Sequence, residues 1–236
     1  MTAADASIEL KKFASPEKAK ASAWFFKTGP GQYGEGDKFL GVTVPEQRKI
    51  AKQFHDLPLL EVEKLIISPW HEERLTGVFI LVYQFQHGDR SNKKEIYDFY
   101  LSHTANINNW DLVDSSAGYI VGSWLENSPN KMKILTNLAK SDLLWDRRIA
   151  MIATFYYIAQ GRAEEALAIV EILKNDSHDL IQKAVGWMLR EIGKRVNQQI
   201  LLDFLDQNAD TLPRTTLRYA IEHFDAQTRQ HYLKKA

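Results

Sequence analysis

Residues 179–195 read DLIQKAVGWMLREIGKR, and two stripes at helical spacing run through this stretch. The apolar stripe repeats at intervals of four, three and four residues and consists of Ile181, Val185, Met188 and Ile192. The second stripe has the same spacing, offset by two residues, and consists of Lys183, Trp187, Arg190 and Lys194. An offset of two residues is about 200° around a helix, so the second stripe faces away from the core.

The face that carries Trp187 has two interpretations. In the first, the tryptophan covers a seam between helices on an otherwise solvated face. In the second, the cations around the indole ring bind an anion that has an apolar or π-electron component, which describes nucleic acid. The spacing alone leaves both interpretations open.

From Pro45 onward the sequence has a helical pattern almost throughout, and no run alternates with the period of two that strands show. We predict helix starts near Pro45, Pro58, His71, Asn92, Trp110, Lys131, Trp145, Ala163, Asp179, Asn197, Pro213 and Ala226. The helices come in pairs that begin roughly 31–38 residues apart, the period of helical-hairpin solenoids, whose concave face is the usual binding surface. The sequence therefore predicts an all-α solenoid that forms one domain over residues 1–236.

The composition fits a globular protein and narrows its chemistry. The chain has 236 residues, of which 44% are hydrophobic and 25% charged, enough to bury a sizeable core. It contains no cysteine, which excludes disulfides, thiolate metal sites and cysteine nucleophiles. Its seven histidines are scattered without ligand spacing, so we expect no metal and no other cofactor.

Net charge and the N-terminal sequence bear on partners and location. The formal net charge is zero and the isoelectric point is near 7.1, so any basic face for nucleic acid must be local. The N-terminus lacks a basic flank followed by an apolar stretch, and no apolar run approaches the roughly 18 residues that span a bilayer. We therefore expect a soluble, cytoplasmic monomer that does not bind membranes.

A second informative stretch is Asn108–Ser116, which reads NNWDLVDSS. Trp110 and Asp114 are four residues apart and would lie one above the other in a helix. They flank an apolar stripe at helical spacing that consists of Val113, Ala117, Ile120 and Trp124, and we predict one helix through this stripe. Asn108 would cap the helix with Asp111 at its third position, which leaves Asp114 unexplained. The alternative is that Trp110 packs a seam between helices and Asp114 pairs with a nearby lysine or arginine.

Basic residues cluster at two further places. Arg147 and Arg148 lie in the first turn of a helix that begins at Trp145, where positive charge opposes the helix dipole. Either they bind an anion, or they form salt bridges to a neighbouring repeat. Arg214 and Arg218, four residues apart near the C-terminus, form another basic spot.

Together, three separated runs resemble the AlkD-type DNA alkylation repair glycosylases, a family of HEAT-like helical repeats. The runs are NWDLVD at Asn109–Asp114, WDRRIA at Trp145–Ala150 and QKAVGWMLRE at Gln182–Glu191. The resemblance extends from about Phe13 to Tyr232. It implies a glycosylase that releases cationic purines alkylated at N3 or N7 from double-stranded DNA without flipping the damaged base into a pocket. Whether bulky adducts or cross-links are accepted stays open.

The resemblance also implies roles for individual residues. Trp110, Trp187 and Asp114 match two tryptophans and an aspartate that line a cleft beside the deoxyribose of the lesion. Arg148 matches an arginine that holds the DNA backbone. A family tyrosine near the N-terminus falls on Phe25, which has no hydroxyl, and this departure leaves the substrate range open.

The chemistry asks little of such an enzyme, because an alkylated, cationic purine is already a good leaving group. Asp114 would stabilise the oxocarbenium-like sugar and position a water, while the indole rings of Trp110 and Trp187 face the positive charge. No general acid is needed, since the base departs neutral. We predict that basic residues hold the DNA phosphates, namely Arg147, Arg148, Lys183, Arg190, Lys194, Arg214 and Lys38.

The segment Thr28–Asp37, TGPGQYGEGD, interrupts the helical pattern with four glycines and a proline. We predict an irregular excursion or a short hairpin, closed by residues 39–42. The segment is longer than the link in the best-known family members, and we predict that Tyr33 at its centre reaches the DNA. The alternative is a flexible surface loop whose acids, Glu35 and Asp37, repel phosphate.

The competing function is a non-catalytic helical-repeat scaffold that binds DNA or a protein. It predicts the same stripes but gives no reason for a carboxylate at Asp114 beside a tryptophan. The zero net charge favours this scaffold, because a dedicated nucleic-acid enzyme usually carries excess positive charge.

Overall fold

The computed structural model describes residues 1–235 and is all-helical, as the sequence predicts. Among these residues the only β-type pairing is an isolated parallel bridge between Lys38 and Trp70. The chain forms two compact units, one from Met1 to Ile120 and one that begins at Val121. Within the described part of the chain, no helix combines the length and the apolar character needed to cross a membrane.

The first unit is built around one buried helix. Its helices are α1 (Ala3–Lys11), α2 (Pro16–Phe25), α3 (Val44–Gln53), α4 (Leu59–Ile66), α5 (His71–His87), α6 (Arg90–Ser102) and α7 (Trp110–Asp114). Every residue of α5 from His71 to Leu81 is buried, and α1, α3, α4, α6 and α7 pack against this helix. A helix buried on all sides is the core of its unit, so the start of α5 lies deep in the protein.

The second unit is likewise arranged around one long helix. Its helices are α8 (Ser123–Leu125), α9 (Lys131–Ala139), α10 (Leu144–Ala153), α11 (Phe155–Ile158), α12 (Glu164–Leu173), α13 (Asp179–Arg195), α14 (Gln198–Asn208), α15 (Arg214–Ala220) and α16 (Ala226–Lys235). Helix α13 packs against α10, α11, α12, α14 and α15. All four residues of its predicted apolar stripe are fully buried, whereas Trp187 is partly exposed and Lys194 exposed. The two-stripe prediction for this helix is therefore confirmed.

The sequence pattern locates most helix starts. Every predicted start from Pro45 to Ala226 lies within two residues of an observed start. The pattern misses α1, which a capping box begins: the Thr2 hydroxyl accepts from the Asp5 N–H, and the Asp5 carboxylate accepts from the Thr2 N–H. Local hydrogen bonds, not amphipathic spacing, define this helix end.

The helix predicted to continue from Trp110 along its apolar stripe is interrupted, so this prediction is wrong. Helix α7 ends at Asp114, and a π-helix spans Gly118–Gly122 before α8 begins. The Ser116 hydroxyl donates to the Leu112 carbonyl at 2.6 Å and competes for an acceptor of the helical ladder. Periodicity detects the buried stripe, but it is blind to this competition.

A strap of residues 38–42 crosses the start of α5. Three consecutive backbone N–H groups of the strap donate to the buried carboxylate of Glu72 at distances of 2.9, 2.7 and 3.3 Å. Gly41 in the strap has a φ of +79°, and a Cβ there would lie 2.1 Å from the carbonyl oxygen of Ser15. The strap follows residues 28–37, which form a series of turns. Of the two forms predicted for this segment, the structure shows the irregular excursion and not the short hairpin.

Candidate functional site

The first unit contains a cavity of about 440 Å³ beside the start of α7. It is lined by residues of α3, α5, α7 and the segment after α7, namely Arg48, Val82, Gln86, Trp110, Asp111, Asp114, Ser115 and Tyr119. The structure thus brings Trp110 and Asp114, a pair singled out by spacing, to the same cavity. Both side chains are partly exposed, so a ligand in the cavity can touch them.

Aromatic rings form the wall behind Trp110. The ring of Phe26 stacks on the indole with 5.4 Å between centroids, and the ring of Phe25 meets it edge-on at 5.9 Å. The indole N–H of Trp110 donates to the hydroxyl of Tyr33 at 3.3 Å. Phe26 also stacks on Phe39 at 5.4 Å, which links Trp110 to the buried strap.

The start of α7 differs from the predicted cap. The side chain of Asn109, not that of Asn108, accepts from a backbone N–H at the helix start, so the helix begins one residue later than an Asn108 cap requires. Asp111 consequently lies at the second helical position. One of its carboxylate oxygens accepts from the Leu112 N–H at 2.9 Å, and the other lies 2.8 Å from Nε2 of His71. The Asp111 carboxylate therefore has two roles: one oxygen binds a backbone N–H at the start of the helix, and the other binds His71.

A buried charge network lies directly below the cavity. His71 is 2% exposed, and its ring contacts Asp111 through Nε2 and Asp37 through Nδ1, at 2.8 and 3.3 Å. The guanidinium of Arg74 donates to the other oxygen of Asp37 at 2.7 Å. The network joins the segment 28–37 to α5 and α7, three parts of the chain that are distant in sequence.

The network shifts the pKa values of His71 and Asp37. Burial lowers the pKa of His71, but the carboxylates of Asp111 and Asp37 outweigh burial and raise that pKa to about 9. Burial raises the pKa of Asp37, yet the His71 hydrogen bond and the charge of Arg74 bring it below its ordinary value. At neutral pH the imidazole is therefore a cation held between two carboxylates.

Asp114 lies one helical turn beyond Trp110 on the same cavity wall. Opposite charge is supplied within the cavity by Arg48 of α3, whose guanidinium carbon lies 4.0 Å from the centre of the Phe79 ring. This cation–π contact holds the stem of an otherwise exposed side chain in place. A carboxylate and a guanidinium in one cavity suit a ligand with both a positive and a negative group.

Trp187 belongs to the second unit and has a different environment. Its indole N–H donates to the carboxylate of Glu191 at 3.3 Å, one turn along α13, and its ring lies 6.1 Å from that of Phe155. Glu191 in turn accepts from Arg195 at 2.6 Å. Burial raises the pKa of Glu191, but the Arg195 hydrogen bond and charge outweigh it, so that pKa lies below its ordinary value.

The two first-turn arginines of α10 are engaged within the second unit. Nε of Arg147 donates to Asp176 at 2.8 Å, and its terminal nitrogen donates to the carbonyls of Ser141 and Asp142. For Arg147, the structure thus shows the salt bridge that the sequence offered as the alternative to anion binding. Arg148 is 4% exposed and donates to the carbonyl of Leu180, so most of its guanidinium lies beneath the surface.

The remaining predicted phosphate contacts lie nearer the surface. Lys183 pairs with Asp179 at 2.7 Å, and Arg190 pairs with Glu222 and, at 3.5 Å, with Glu191. The other three residues have exposed side chains: Lys194, Arg214 and Lys38. One guanidinium nitrogen of Arg214 donates to the carbonyl of Leu233 at 2.7 Å. No group of three or more His, Asp or Glu side chains within residues 1–235 could hold a metal ion.

Two residues of this site escape the sequence analysis. Arg48 lies in a helix with several cations, and no spacing distinguishes it from the others. His71 opens α5 as the first of four ionisable residues in a row, all of them buried. The sequence does contain a signal for His71: four ionisable residues open a helix that is apolar over its next turns. Such a helix is buried, so its charged residues require buried partners.

The comparisons with known proteins agree with the resemblance. A family model described as DNA alkylation repair enzyme matches residues 6–224. A solved structure described as a predicted DNA alkylation repair enzyme from Enterococcus faecalis is similar with a TM-score of 0.71 and 18% sequence identity, over 90% of this chain and 97% of that chain. Such a low identity shows a shared fold alone, and no curated protein matches the chain. Because the family model spans nearly the whole length, the chain belongs to the DNA alkylation repair enzyme family.

Proposed function

We propose that this member of the family is a DNA glycosylase that hydrolyses the N-glycosidic bond of purines alkylated at N3 or N7 in double-stranded DNA. The observation that carries the proposal is the cavity in which Trp110 and Asp114 lie together. A carboxylate one turn from an exposed indole face suits a cationic sugar, which both groups stabilise. The proposed mechanism keeps the damaged base out of an enclosed base pocket.

The reaction needs one bond broken and one water added. As the bond from C1′ to the purine nitrogen breaks, its electron pair leaves with the base, which thereby becomes neutral. The sugar acquires oxocarbenium character, and the negative charge of Asp114 stabilises it. A water held by the same carboxylate then attacks C1′ and loses its proton to Asp114, from which solvent removes it.

Exposed cations would place the DNA without reading its sequence. Arg48 would bind the phosphate next to the lesion, since its side chain lines the same cavity as Asp114. Lys194, Arg214 and Lys38 are exposed and suit phosphates further away. Arg147 and Arg148 are held by carboxylate and carbonyl groups of their own unit, so we assign them the weaker part of the DNA affinity.

Trp187 keeps the role that the resemblance gives it, a second indole for the positive charge. Its N–H is fixed by Glu191, and its ring is partly exposed, as such a role requires. This assignment comes from the resemblance, and the partial exposure of the ring supports it.

The competing proposal is a non-catalytic helical-repeat scaffold that binds DNA or a protein, which the zero net charge and the cations that are already paired favour. The deciding experiment incubates the protein with duplex DNA that carries one N7-methylguanine or N3-methyladenine and measures the free base by mass spectrometry. We expect release well above the spontaneous rate, and none from undamaged duplex. Binding of the damaged duplex without release above the spontaneous rate would establish the scaffold instead.

A further inference from the structure

The segment 28–37 is attached to the rest of the first unit at its C-terminal end and near its centre. Asp37 has a side chain that is 6% exposed, and it binds Arg74 and His71. The N–H of Gly34 donates to the carbonyl of Lys27 at 3.2 Å, and a Cβ on Gly34 would lie 2.4 Å from the carbonyl oxygen of Phe26. Asp37 therefore points into the protein, and its charge is compensated there, so it is no source of repulsion for phosphate.

The centre of the segment contacts the indole of Trp110. Tyr33 lies 77 residues away in sequence, and its hydroxyl oxygen accepts the hydrogen bond from Nε1 of Trp110 at 3.3 Å. The indole N–H is the only polar group of a tryptophan side chain and has no acceptor function. One acceptor at this position therefore fixes the rotation of the ring about its bond to the backbone.

The other contacts of Trp110 leave that rotation weakly determined. Phe26 covers one face of the indole at 5.4 Å, and Phe25, which is 56% exposed, touches its edge at 5.9 Å. Stacked rings slide and rotate in their common plane at little cost, whereas a hydrogen bond loses strength steeply as its angle changes. Tyr33 supplies the directional contact that the aromatic wall does not.

We infer that Tyr33 is a positioning residue, which acts through its hydroxyl to present the indole of Trp110 to the cavity beside Asp114. Its part in base release rests on the proposed function, while its contact with Trp110 does not. The inference gives the glycine-rich segment a definite purpose. The glycines allow the backbone to pass close to Phe26, and the buried Asp37 anchors the segment so that the phenol arrives at the correct place.

The first experiment measures the indole N–H directly. Tyr33→Phe keeps the ring and removes the acceptor, and Trp110→Phe identifies the Trp110 resonance in a ¹H–¹⁵N spectrum of the full-length protein. We expect Tyr33→Phe to move that resonance upfield and to speed its exchange with water, with the other indole resonances in place. Tyr83→Phe is the matched control, because Tyr83 stacks on His87 and lines a different cavity of the same unit. An unmoved Trp110 resonance in Tyr33→Phe would overturn the inference, whatever the protein does to DNA.

The second experiment measures the consequence for the reaction. In single-turnover assays on duplex containing N7-methylguanine, we expect Tyr33→Phe to slow base release about 3- to 10-fold, the usual effect of one neutral hydrogen bond. The dissociation constant for the same duplex should stay within about twofold of wild type, and Tyr83→Phe should match wild type in both. A wild-type rate in Tyr33→Phe would refute the part in catalysis. If wild-type protein itself releases no base, the proposed function fails, and the spectrum still decides the role of Tyr33.

Discussion

The two tryptophans to which the family resemblance assigns a role are held in different ways. In the first unit, the Trp110 N–H binds a neutral phenol that comes from 77 residues away, and aromatic rings support its face. In the second unit, the Trp187 N–H binds an ionised carboxylate on its own helix, four residues away, and Arg195 completes the row. The hydrogen bond of the first tryptophan depends on tertiary structure, and that of the second depends on the spacing of residues along one helix.

This difference has a consequence for function. A tryptophan held by its own helix keeps its orientation as long as α13 stays folded. Trp110 depends on a segment with four glycines and on the buried network of His71, Asp37 and Asp111. Changes in that network should therefore alter the cavity wall beside Trp110 and leave Trp187 unchanged.

The largest effect belongs to the carboxylate beside Trp110. We expect Asp114→Asn to slow base release by about 10²- to 10³-fold or more, because it removes the charge that stabilises the transition state. DNA affinity should stay close to wild type, since the substitution preserves size and the phosphate contacts. Single-turnover rates and equilibrium binding on the same lesion duplex separate the two quantities. Base release by Asp114→Asn at a rate near that of wild type would refute the proposed mechanism and the catalytic role of the cavity in the first unit.

The next prediction concerns the network below the cavity. His71 has a pKa near 9 in the folded protein against about 6.5 in the unfolded chain, so its contribution to stability is complete below pH 6.5. That contribution is lost as pH rises through about 9, because the neutral ring no longer balances Asp37 and Asp111. Replacing His71 by Gln leaves the carboxylates of Asp37 and the partly exposed Asp111 with one fewer cation and should cost about 3–5 kcal/mol at pH 6.5.

The measurement is urea unfolding of wild type and His71→Gln at several pH values between 6 and 10. The difference in unfolding free energy between the two proteins should shrink as the pH approaches and passes 9. A difference that is constant across this range would show that His71 is neutral in the fold. The variant should also shift the Trp110 indole resonance and leave that of Trp187 in place, which connects the network to one tryptophan only.

The same comparison explains what could be predicted from the sequence. The stripes of α13 depend on residues three and four apart, so periodicity identified its buried face, its cations and the partly exposed position of Trp187. The Tyr33 and His71 contacts join residues 34 to 77 positions apart, and no local pattern records such a pairing. Sequence alone also misplaced the α7 cap and the helix after it, since Asn109 and Ser116 form side-chain hydrogen bonds that compete with regular spacing.

A smaller effect is expected at Trp187. Trp187→Ala should weaken transition-state stabilisation by about 0.5–2 kcal/mol, the range for a cation–π contact. Its melting temperature should stay near wild type because the ring is partly exposed, whereas truncation of a fully buried tryptophan costs about 3–5 kcal/mol. Thermal unfolding and single-turnover rates are measured on the same preparation. A large drop in melting temperature would make Trp187 a packing residue and end its equivalence with Trp110.

The smallest effect distinguishes the exposed cations of the second unit from the engaged ones. Lys194 is exposed on α13, so Lys194→Gln should flatten the dependence of log Kd on log salt concentration by about 0.9, the loss of one phosphate contact. Arg147→Gln is the matched variant on α10, and it should leave the slope unchanged but lower stability, because its guanidinium is held by Asp176 and two backbone carbonyls. Affinities for one duplex at four salt concentrations, with urea unfolding of both variants, supply the two quantities. The opposite result, a flatter slope for Arg147→Gln and an unchanged slope for Lys194→Gln, would contradict this division. It would show that the Arg147–Asp176 ion pair opens on DNA and that Arg147, not Lys194, contacts the phosphate.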